Sequence, residues 1–211
     1  MKNFIADESK LICGLDEAGR GPWAGPLIAC AVILKRGSRV GDVRDSKKMT
    51  RMQREKVYKL LIKKTAYGIG CVTNEEIDDL GLSKCVNLVF NRALENLIKK
   101  SGMVPDFLLI DGRDKLTFSY PFKTVVGGDD KIKTIACASV IAKVERDKIM
   151  GDFAKKYPHY GFDEHKGYGT PMHKKKIAER GICSIHRRSY EPIRIYLKKS
   201  SRIVNKSAAG R

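Results

Sequence analysis

The segment GLDEAGRGPWAGP, residues 14–26, decides how the rest of the chain is organised. It follows a short apolar run, Leu11–Leu15, and places Asp16 and Glu17 side by side before an arginine and several glycines and prolines. Glycines permit positive φ and let another backbone or a ligand approach closely. We therefore predict that both carboxylates lie at the end of a strand, beside a loop with amide groups free to face a partner. A polar turn without further role is the plain alternative.

The composition indicates a protein that binds a polyanion. Among 211 residues, 42 Lys and Arg oppose 24 Asp and Glu, a formal net charge of +18. Such a charge favours phosphate contacts and counterion release, although it does not separate DNA, RNA and acidic proteins as partners. No apolar run approaches the roughly 18 to 20 residues that cross a bilayer. The N-terminus also lacks the apolar core of a secretory signal. We expect a cytoplasmic protein with no membrane partner, acting as a monomer.

Apolar runs and helical periodicity predict an α/β fold. Continuous apolar stretches predict strands at Pro26–Leu34 and Ala66–Val72. Between them, Thr50 and Gln53 have the spacing of a helix capping box. Later helices are predicted at Asn74–Leu80, Ser83–Lys100 and Lys131–Lys156. The basic tail, 198–211, has little apolar content, and we expect it to be disordered.

Two further aspartates follow predicted strands. Asp111 directly follows the apolar run Phe107–Ile110, and Asp129 lies between the run Phe122–Val126 and the long helix. If these strands are neighbours of the first, the carboxylates converge, and their mutual repulsion requires bound cations. Oxygen ligands without Cys or His favour Mg²⁺ or Mn²⁺.

Asp16 and Glu17 present a geometrical difficulty. Adjacent residues on a regular strand face opposite sides of the sheet. Both side chains can serve one site only if the backbone is irregular there, or if one residue contributes its carbonyl oxygen. The glycines that follow allow such an irregular backbone, and both alternatives stay open.

The chain closely resembles the family of bacterial type 2 ribonucleases H, ribonuclease HII, from about Leu11 to Pro192. The blocks that carry the resemblance occur in order: GLDEAGRGPWAGPLIACAVIL, DSKKMT, LLIDGR, GGDDKIKTIACASVIAKVERD, HKGYGTPMH and IHRRSY. The resemblance implies an RNase H-like α/β fold, a mixed five-stranded sheet flanked by helices with a small helical C-terminal part. We accordingly divide the chain into a catalytic core (1–157), a C-terminal substrate-binding part packed on it (158–197) and the tail (198–211).

The resemblance also implies the activity. It is endonucleolytic cleavage of RNA in RNA/DNA hybrids and incision 5′ of ribonucleotides embedded in duplex DNA, as in ribonucleotide removal during replication and repair. The products are a 3′-hydroxyl and a 5′-phosphate. By this similarity the catalytic and metal-binding carboxylates are Asp16, Glu17, Asp111 and Asp129, with two Mg²⁺ or Mn²⁺ ions about 3.5 to 4 Å apart. The neighbouring Asp130 departs from the family pattern and remains the alternative to Asp129.

The substrate contacts implied by the resemblance begin with Gly19, Arg20 and Gly21, whose backbone meets the ribose 2′-hydroxyl, the group that separates RNA from DNA. Tyr168 resembles the family tyrosine that stacks on the deoxyribose beyond the ribonucleotide. Further candidate phosphate contacts are Lys47, Lys48, Ser139, Lys143, Arg146, Arg187 and Arg188.

Two alternatives remain open at this point. One is a hybrid nuclease of the ribonuclease HIII type, which shares the catalytic core but carries an additional N-terminal domain. Only ten residues precede Leu11 here, which argues against it. The other is a basic nucleic-acid-binding protein without catalysis, in which a carboxylate cluster would only repel the ligand.

Overall fold

The computed structural model describes residues 10–35, 37, 40, 41, 43 and 49–208, with side chains up to residue 200. Within these residues, five strands form one sheet in the order β3-β2-β1-β4-β5. The strands are β1 (Ile12–Ala18), β2 (Leu27–Leu34), β3 (Thr65–Val72), β4 (Phe107–Asp111) and β5 (Phe122–Val125). β1, β2 and β3 pair antiparallel, whereas β4 pairs parallel with both β1 and β5. The sheet is therefore mixed, as expected.

Helices cover both faces of this sheet. The helices of the described part are α1 (Arg51–Lys64), α2 (Asn74–Leu80), α3 (Leu82–Ser101), α4 (Gly128–Lys131), α5 (Lys133–Lys156), α6 (Phe162–His165), α7 (Pro171–Arg180) and α8 (Glu191–Ala208). No helix among the described residues is long and apolar enough to cross a membrane.

The interior strand β2 separates two hydrophobic cores. Its odd-numbered residues pack with Leu15 of β1 and with α3, and Ile28, Cys30 and Val32 pack with α5 and α1. This burial on both faces explains the continuous apolar run of β2. On β3, Gly68 and Gly70 leave room for the backbone of α3, which a Cβ at either position would meet.

Local signals placed most elements within a residue or two, with three differences. Thr50 and Gln53 form the predicted capping box at the start of α1. β1 is longer than predicted and runs through the two carboxylates to Ala18. The long helical pattern is interrupted at Ile132, where extended backbone (φ −128°) separates α4 from α5. Helix α8 extends to Ala208, so the segment 198–208, expected to be disordered, is helical.

The C-terminal segment packs against the glycine-rich loop that joins β1 to β2. Trp23 N donates to Gly167 O (2.8 Å), and Gly25 N donates to Ile185 O (2.9 Å). Ala24 forms an antiparallel bridge with His186 between these two bonds. A third hydrophobic core, which includes Met150 and Phe162, packs against this loop. The loop is thus held between the sheet and the last third of the chain.

Candidate active site

Asp16 and Asp111 lie together because their strands are parallel neighbours. The last residue pair of the β1–β4 ladder is Leu15 with Ile110, and each aspartate is the next residue of its strand. Leu15 and Ile110 belong to the core on the α3 side, so strand alternation directs both aspartates toward α5. There the Ser139 hydroxyl hydrogen-bonds to the Asp16 carboxylate. The carboxyl ends of parallel strands are the usual ligand edge of an α/β sheet.

Asp129 reaches the same edge from the short helix α4. Gly127 has a left-handed backbone (φ 62°) and turns the chain from β5 into α4. Gly128 N then donates to Asp111 Oδ1 (2.6 Å), which fixes α4 against the end of β4. Asp129 is only 2% exposed, whereas the neighbouring Asp130 is exposed. The structure therefore buries Asp129 and turns Asp130 to the surface.

The carboxylates of this edge interact electrostatically. Burial raises the pKa of Asp16 well above its ordinary value, and the negative charges of Glu17 and Asp111 raise it further, against the Ser139 hydrogen bond. Burial also raises the pKa of Glu17, although the Arg20 guanidinium opposes this. Like charges held this close favour a bound cation. β1 stays regular through Asp16 and Glu17, so the irregular backbone that the sequence allowed is absent and the two side chains leave opposite faces of the sheet. Near the end of the strand the Glu17 carboxylate still interacts electrostatically with Asp111, so it can reach the same edge without that irregularity.

Arg20 is held by two carboxylates, one of which the sequence interpretation missed. Its Nε donates to Glu17 Oε1, and its two terminal nitrogens donate to Asp114 (3.0 and 2.6 Å) in a bidentate pair. The only sequence signal was an acidic residue three positions after Asp111. With its guanidinium occupied, Arg20 offers a ligand mainly the backbone of its loop.

The donor set suits a hard divalent cation. Carboxylate oxygens are the ligands that Mg²⁺ and Mn²⁺ prefer. Cys30, which pairs with Asp16 across the ladder, is a buried thiol packed in the core. Glu17 Oε2 is buried without a hydrogen-bond partner, which leaves one oxygen for such an ion. However, no group of three or more His, Cys, Asp or Glu within the described residues is spaced to hold a metal. The residues fit the cation chemically, and the contact of Glu17 with Arg20 uses only its Oε1.

Two buried arginines donate hydrogen bonds to backbone carbonyls of the glycine-rich loop. Arg146 donates to the carbonyls of Pro26 (3.0 Å) and Ala24 (3.1 Å). Arg187 donates to the carbonyls of Gly25 (2.9 Å) and Arg20 (3.0 Å). Arg146 is 1% exposed and Arg187 0%. Backbone carbonyls thus hold both side chains inside the protein, while Arg146 Nη1 and Arg187 Nη2 are buried without a hydrogen-bond partner in the described part of the chain. Direct phosphate contact by these two side chains stays a prediction from the sequence.

The glycine-rich loop that these arginines hold requires a glycine at position 19. Gly19 has φ 109°, and a Cβ there would collide with Arg146 Nε. Gly21 is different, because a Cβ there would lie 3.7 Å from Tyr168 Cε1, in ordinary contact. The structure thus brings the predicted loop and the predicted tyrosine side by side. The Tyr168 ring is 44% exposed, as a stacking surface must be.

The remaining predicted contacts are distributed along this surface. Lys143, one turn beyond Ser139 on α5, pairs with Asp147 (2.7 Å) and is 33% exposed. Arg188 is exposed, and its backbone N–H donates to Asp78 (2.8 Å). Lys47 and Lys48 lie outside the described residues.

Comparison with known proteins identifies a matching family. The model of the family described as Ribonuclease HII matches residues 13–193. Curated proteins named Ribonuclease HII include one from Caldicellulosiruptor saccharolyticus, 42% identical over 190 residues (90% of this chain and 91% of that protein). Another, from Thermotoga maritima, is 41% identical over 186 residues (88% and 75%).

Solved structures agree with this assignment. The ribonuclease H2 from Pyrococcus horikoshii OT3 superimposes with a TM-score of 0.75 at 28% identity, covering 90% of this chain and 98% of that one. A Bst-RNase HIII in complex with Mn²⁺ gives a TM-score of 0.70 at 17% identity, covering 92% and 71%. At that identity the second likeness shows the shared fold alone.

Proposed function

Because this chain belongs to the ribonuclease HII family and is a type 2 ribonuclease H, we propose that it cleaves in two settings. It hydrolyses RNA in RNA/DNA hybrids and incises duplex DNA 5′ of an embedded ribonucleotide. The reaction depends on divalent cations and leaves a 3′-hydroxyl and a 5′-phosphate. The observation that carries the proposal is the meeting of Asp16, Asp111 and Asp129 at one sheet edge, beside the glycine-rich loop and Tyr168.

Four carboxylates would hold the cations. Asp16 and Asp111 face α5 from adjacent strands, Asp129 approaches from α4, and Glu17 supplies the buried Oε2 without a partner. Bound Mg²⁺ or Mn²⁺ in a two-metal site would activate the attacking water and stabilise the leaving 3′-oxygen. Asp129, rather than the exposed Asp130, is the fourth ligand in this proposal, because only Asp129 is buried at the edge.

The protein's own residues would place the scissile phosphate. The backbone of Gly19, Arg20 and Gly21 would meet the ribose 2′-hydroxyl, since the Arg20 guanidinium is already paired with Glu17 and Asp114. Ser139 holds the Asp16 carboxylate on the α5 side of the sheet. Tyr168 would stack on the next sugar. Arg146 and Arg187 hold the loop that contains Gly21, and so would fix the distance between Gly21 and Tyr168.

Other contacts would bind the flanking strands without taking part in the chemistry. Lys143 and Arg188 have exposed or half-exposed side chains suited to phosphate. Lys47 and Lys48 retain the role proposed from the sequence. A monomeric state, a cytoplasmic location and the division at residue 157 also remain proposals. The hydrogen bonds of Trp23 to Gly167 and of Gly25 to Ile185 support the packing of the C-terminal part on the core.

Cleavage of four labelled duplexes tests this function. The substrates are a uniform RNA/DNA hybrid, DNA with one ribonucleotide, all-DNA and all-RNA, each with Mg²⁺, with Mn²⁺ and with chelator. We expect the first two to be cut, only with metal, and the last two to stay intact. Binding of hybrid without cleavage under every metal condition would instead support a non-catalytic nucleic-acid-binding protein.

A further inference from the structure

A chain of hydrogen bonds runs through two buried histidines to the backbone of Tyr168. Cys183 N donates to His186 Nδ1 (2.9 Å), and the Nε2 atoms of His186 and His173 lie 3.0 Å apart. At the other end, His173 Nδ1 lies 3.0 Å from Tyr168 O. The chain therefore connects the loop before α8 with the turn that carries the exposed tyrosine.

The first donor sets the direction of the whole chain. A backbone N–H can only donate, so His186 Nδ1 accepts at 2.9 Å, a shorter contact than its 3.2 Å to Cys183 O, and the proton of this neutral ring is on Nε2. His186 Nε2 then donates to His173 Nε2, which leaves the proton of His173 on Nδ1. That proton points to Tyr168 O. Burial lowers the pKa of both His173 and His186, each to about 4, so both rings are neutral at pH 7.

The two rings have no freedom to rearrange. His173 is 0% exposed and His186 1%. His173 stacks on His165 at a centroid distance of 4.3 Å and meets Phe162 edge to face at 5.6 Å. His186 lies 5.4 Å from the ring of Tyr160. Packing on several sides fixes the ring orientations, and the hydrogen bonds then fix the tautomers.

The turn that carries Tyr168 depends on this support. Lys166 has φ 51°, the one positive φ outside glycine among the described residues. His165 Nδ1 accepts from Gly167 N (3.1 Å), so a second histidine holds the preceding peptide. On the other side, Gly169 packs directly against the indole of Trp23. Tyr168 O also accepts from Thr170 N (2.8 Å), and His173 is its only side-chain donor among the described residues.

We infer that His173 and His186 are positioning residues that hold Tyr168 at a fixed distance from Gly21, through a directional hydrogen-bond relay that starts at Cys183 N. The inference rests on the proposed function, in which Tyr168 stacks on the sugar beyond the ribonucleotide. A tyrosine held in place loses less conformational freedom when substrate binds. The relay ends on the backbone of Tyr168 and not on a carboxylate, so it affects the choice between a single ribonucleotide and a uniform hybrid rather than the hydrolysis itself.

Nitrogen NMR of the histidine rings tests the relay without any substrate. In the wild-type protein at pH 7.5, we expect His173 as the Nδ1–H tautomer and His186 as the Nε2–H tautomer. Signals are assigned from single-histidine variants. A His173 ring protonated on Nε2 would overturn the inference whatever the enzyme does to nucleic acid.

A matched pair of substitutions tests the consequence. In His173→Asn the amide reaches the Nδ1 position and still donates to Tyr168 O, whereas in His173→Gln it reaches only the Nε2 position. Both variants lose the ring, so they share any packing defect. The readout is kcat/KM on DNA with one ribonucleotide divided by kcat/KM on a uniform hybrid. We expect this ratio to fall about tenfold in His173→Gln and less than about threefold in His173→Asn, as loss of one buried hydrogen bond implies.

Combination with Tyr168→Ala separates the relay from the proposed function. We expect Tyr168→Ala to lower the same ratio and His173→Gln to lower it no further in the double variant. Equal ratios in the Asn and Gln variants, or additive effects in the double variant, would overturn the relay. If Tyr168→Ala leaves the ratio unchanged while the NMR tautomers are as expected, the stacking role of Tyr168 is wrong and the relay has no effect on substrate choice.

Discussion

Asp16 and Asp111 occupy equivalent positions on parallel strands, each one residue beyond the final pair, Leu15 and Ile110, of the β1–β4 ladder. This register alone places the two carboxylates side by side, because both belong to paired strands and neither lies in a loop. Burial and the nearby negative charges raise the pKa of Asp16, so the pair carries a cost that a bound cation relieves. The geometry therefore links the order of strands in the sheet directly to the chemistry at its edge.

Substitution of the two adjacent aspartates of α4 distinguishes ligand from neighbour. We expect Asp129→Asn to lower kcat on a uniform hybrid by at least about a hundredfold, because a buried charged ligand is lost. Asp130→Asn is the matched control and should stay within about threefold, because that side chain is exposed. Single-turnover cleavage with saturating Mg²⁺ measures both. The reverse order of effects would make Asp130 the ligand.

Much of this site could be predicted from the sequence because each carboxylate follows a local signal. Asp111 ends an apolar strand run, and Asp129 follows the glycines at a strand-to-helix turn. The Arg20–Asp114 pair could not be predicted, because its members are 94 residues apart and meet only where β1 and β4 are neighbours. Arg187 was assigned to phosphate because it adds positive charge beside Arg188, and nothing local indicated the carbonyl oxygens that hold it.

Replacement of two glycines in one loop tests the support beneath it. Gly19→Ala should lower the free energy of unfolding by about 2 to 4 kcal/mol, because a Cβ at φ 109° is strained and collides with Arg146. Gly21→Ala should change it by less than about 1 kcal/mol, because its Cβ meets only Tyr168 at 3.7 Å. Urea denaturation measures both values. Equal losses would mean that the loop is not held by the buried arginine.

Two consecutive arginines should separate stability from binding. Arg187→Met should lower the free energy of unfolding by about 2 kcal/mol, because the Gly25 carbonyl loses its arginine donor and the Arg20 carbonyl keeps only the Tyr190 hydroxyl. Arg188→Met should leave stability unchanged, weaken hybrid binding and reduce the salt dependence of log Kd by about one counterion. Denaturation and salt-dependent fluorescence anisotropy provide the two readouts. A salt slope that falls in Arg187→Met instead would support the direct phosphate contact predicted from sequence.

Apolar runs and helical periodicity located the elements up to residue 156 and failed where tertiary context decides. The helical pattern continues through Ile132, yet the chain is extended there because α4 is fixed by Gly128 N on Asp111. β1 continues through Asp16 and Glu17 because β2 pairs with it as far as Ala18. A partner strand is not visible in a local window, so the sequence placed the strand end too early.

The buried histidine pair should make stability fall on acidification. The pKa of His173 and of His186 is lowered to about 4 in the folded protein, below the ordinary value of 6.5. The unfolded chain therefore binds more protons between these values, and the stability is full above pH 6.5 and lost as pH falls toward 4. The titratable groups that face the pair are His165 at 4.3 Å, the Cys183 thiol at 3.2 Å and the Tyr160 ring at 5.4 Å.

Chemical denaturation between pH 7.5 and 5 measures this effect. We expect the wild type to lose about 2 to 4 kcal/mol relative to a double variant, His173→Asn with His186→Asn, because each unit of pKa shift corresponds to about 1.4 kcal/mol. The difference between the two proteins removes the contribution of the carboxylates. Parallel pH profiles would show that the pair does not titrate as a buried neutral unit.

Incision of a labelled DNA duplex with one ribonucleotide, by the wild type and by Asp111→Asn, tests the central claim most directly. Cleavage with Mg²⁺, Mn²⁺ or chelator is mapped at nucleotide resolution, and duplex binding is measured in the same preparations. We predict metal-dependent incision 5′ of the ribonucleotide by the wild type. Asp111→Asn should give no incision and equal or tighter binding, because a repulsive charge leaves the phosphate path. Incision by Asp111→Asn at the wild-type rate, or incision in the presence of chelator, would contradict the carboxylate site.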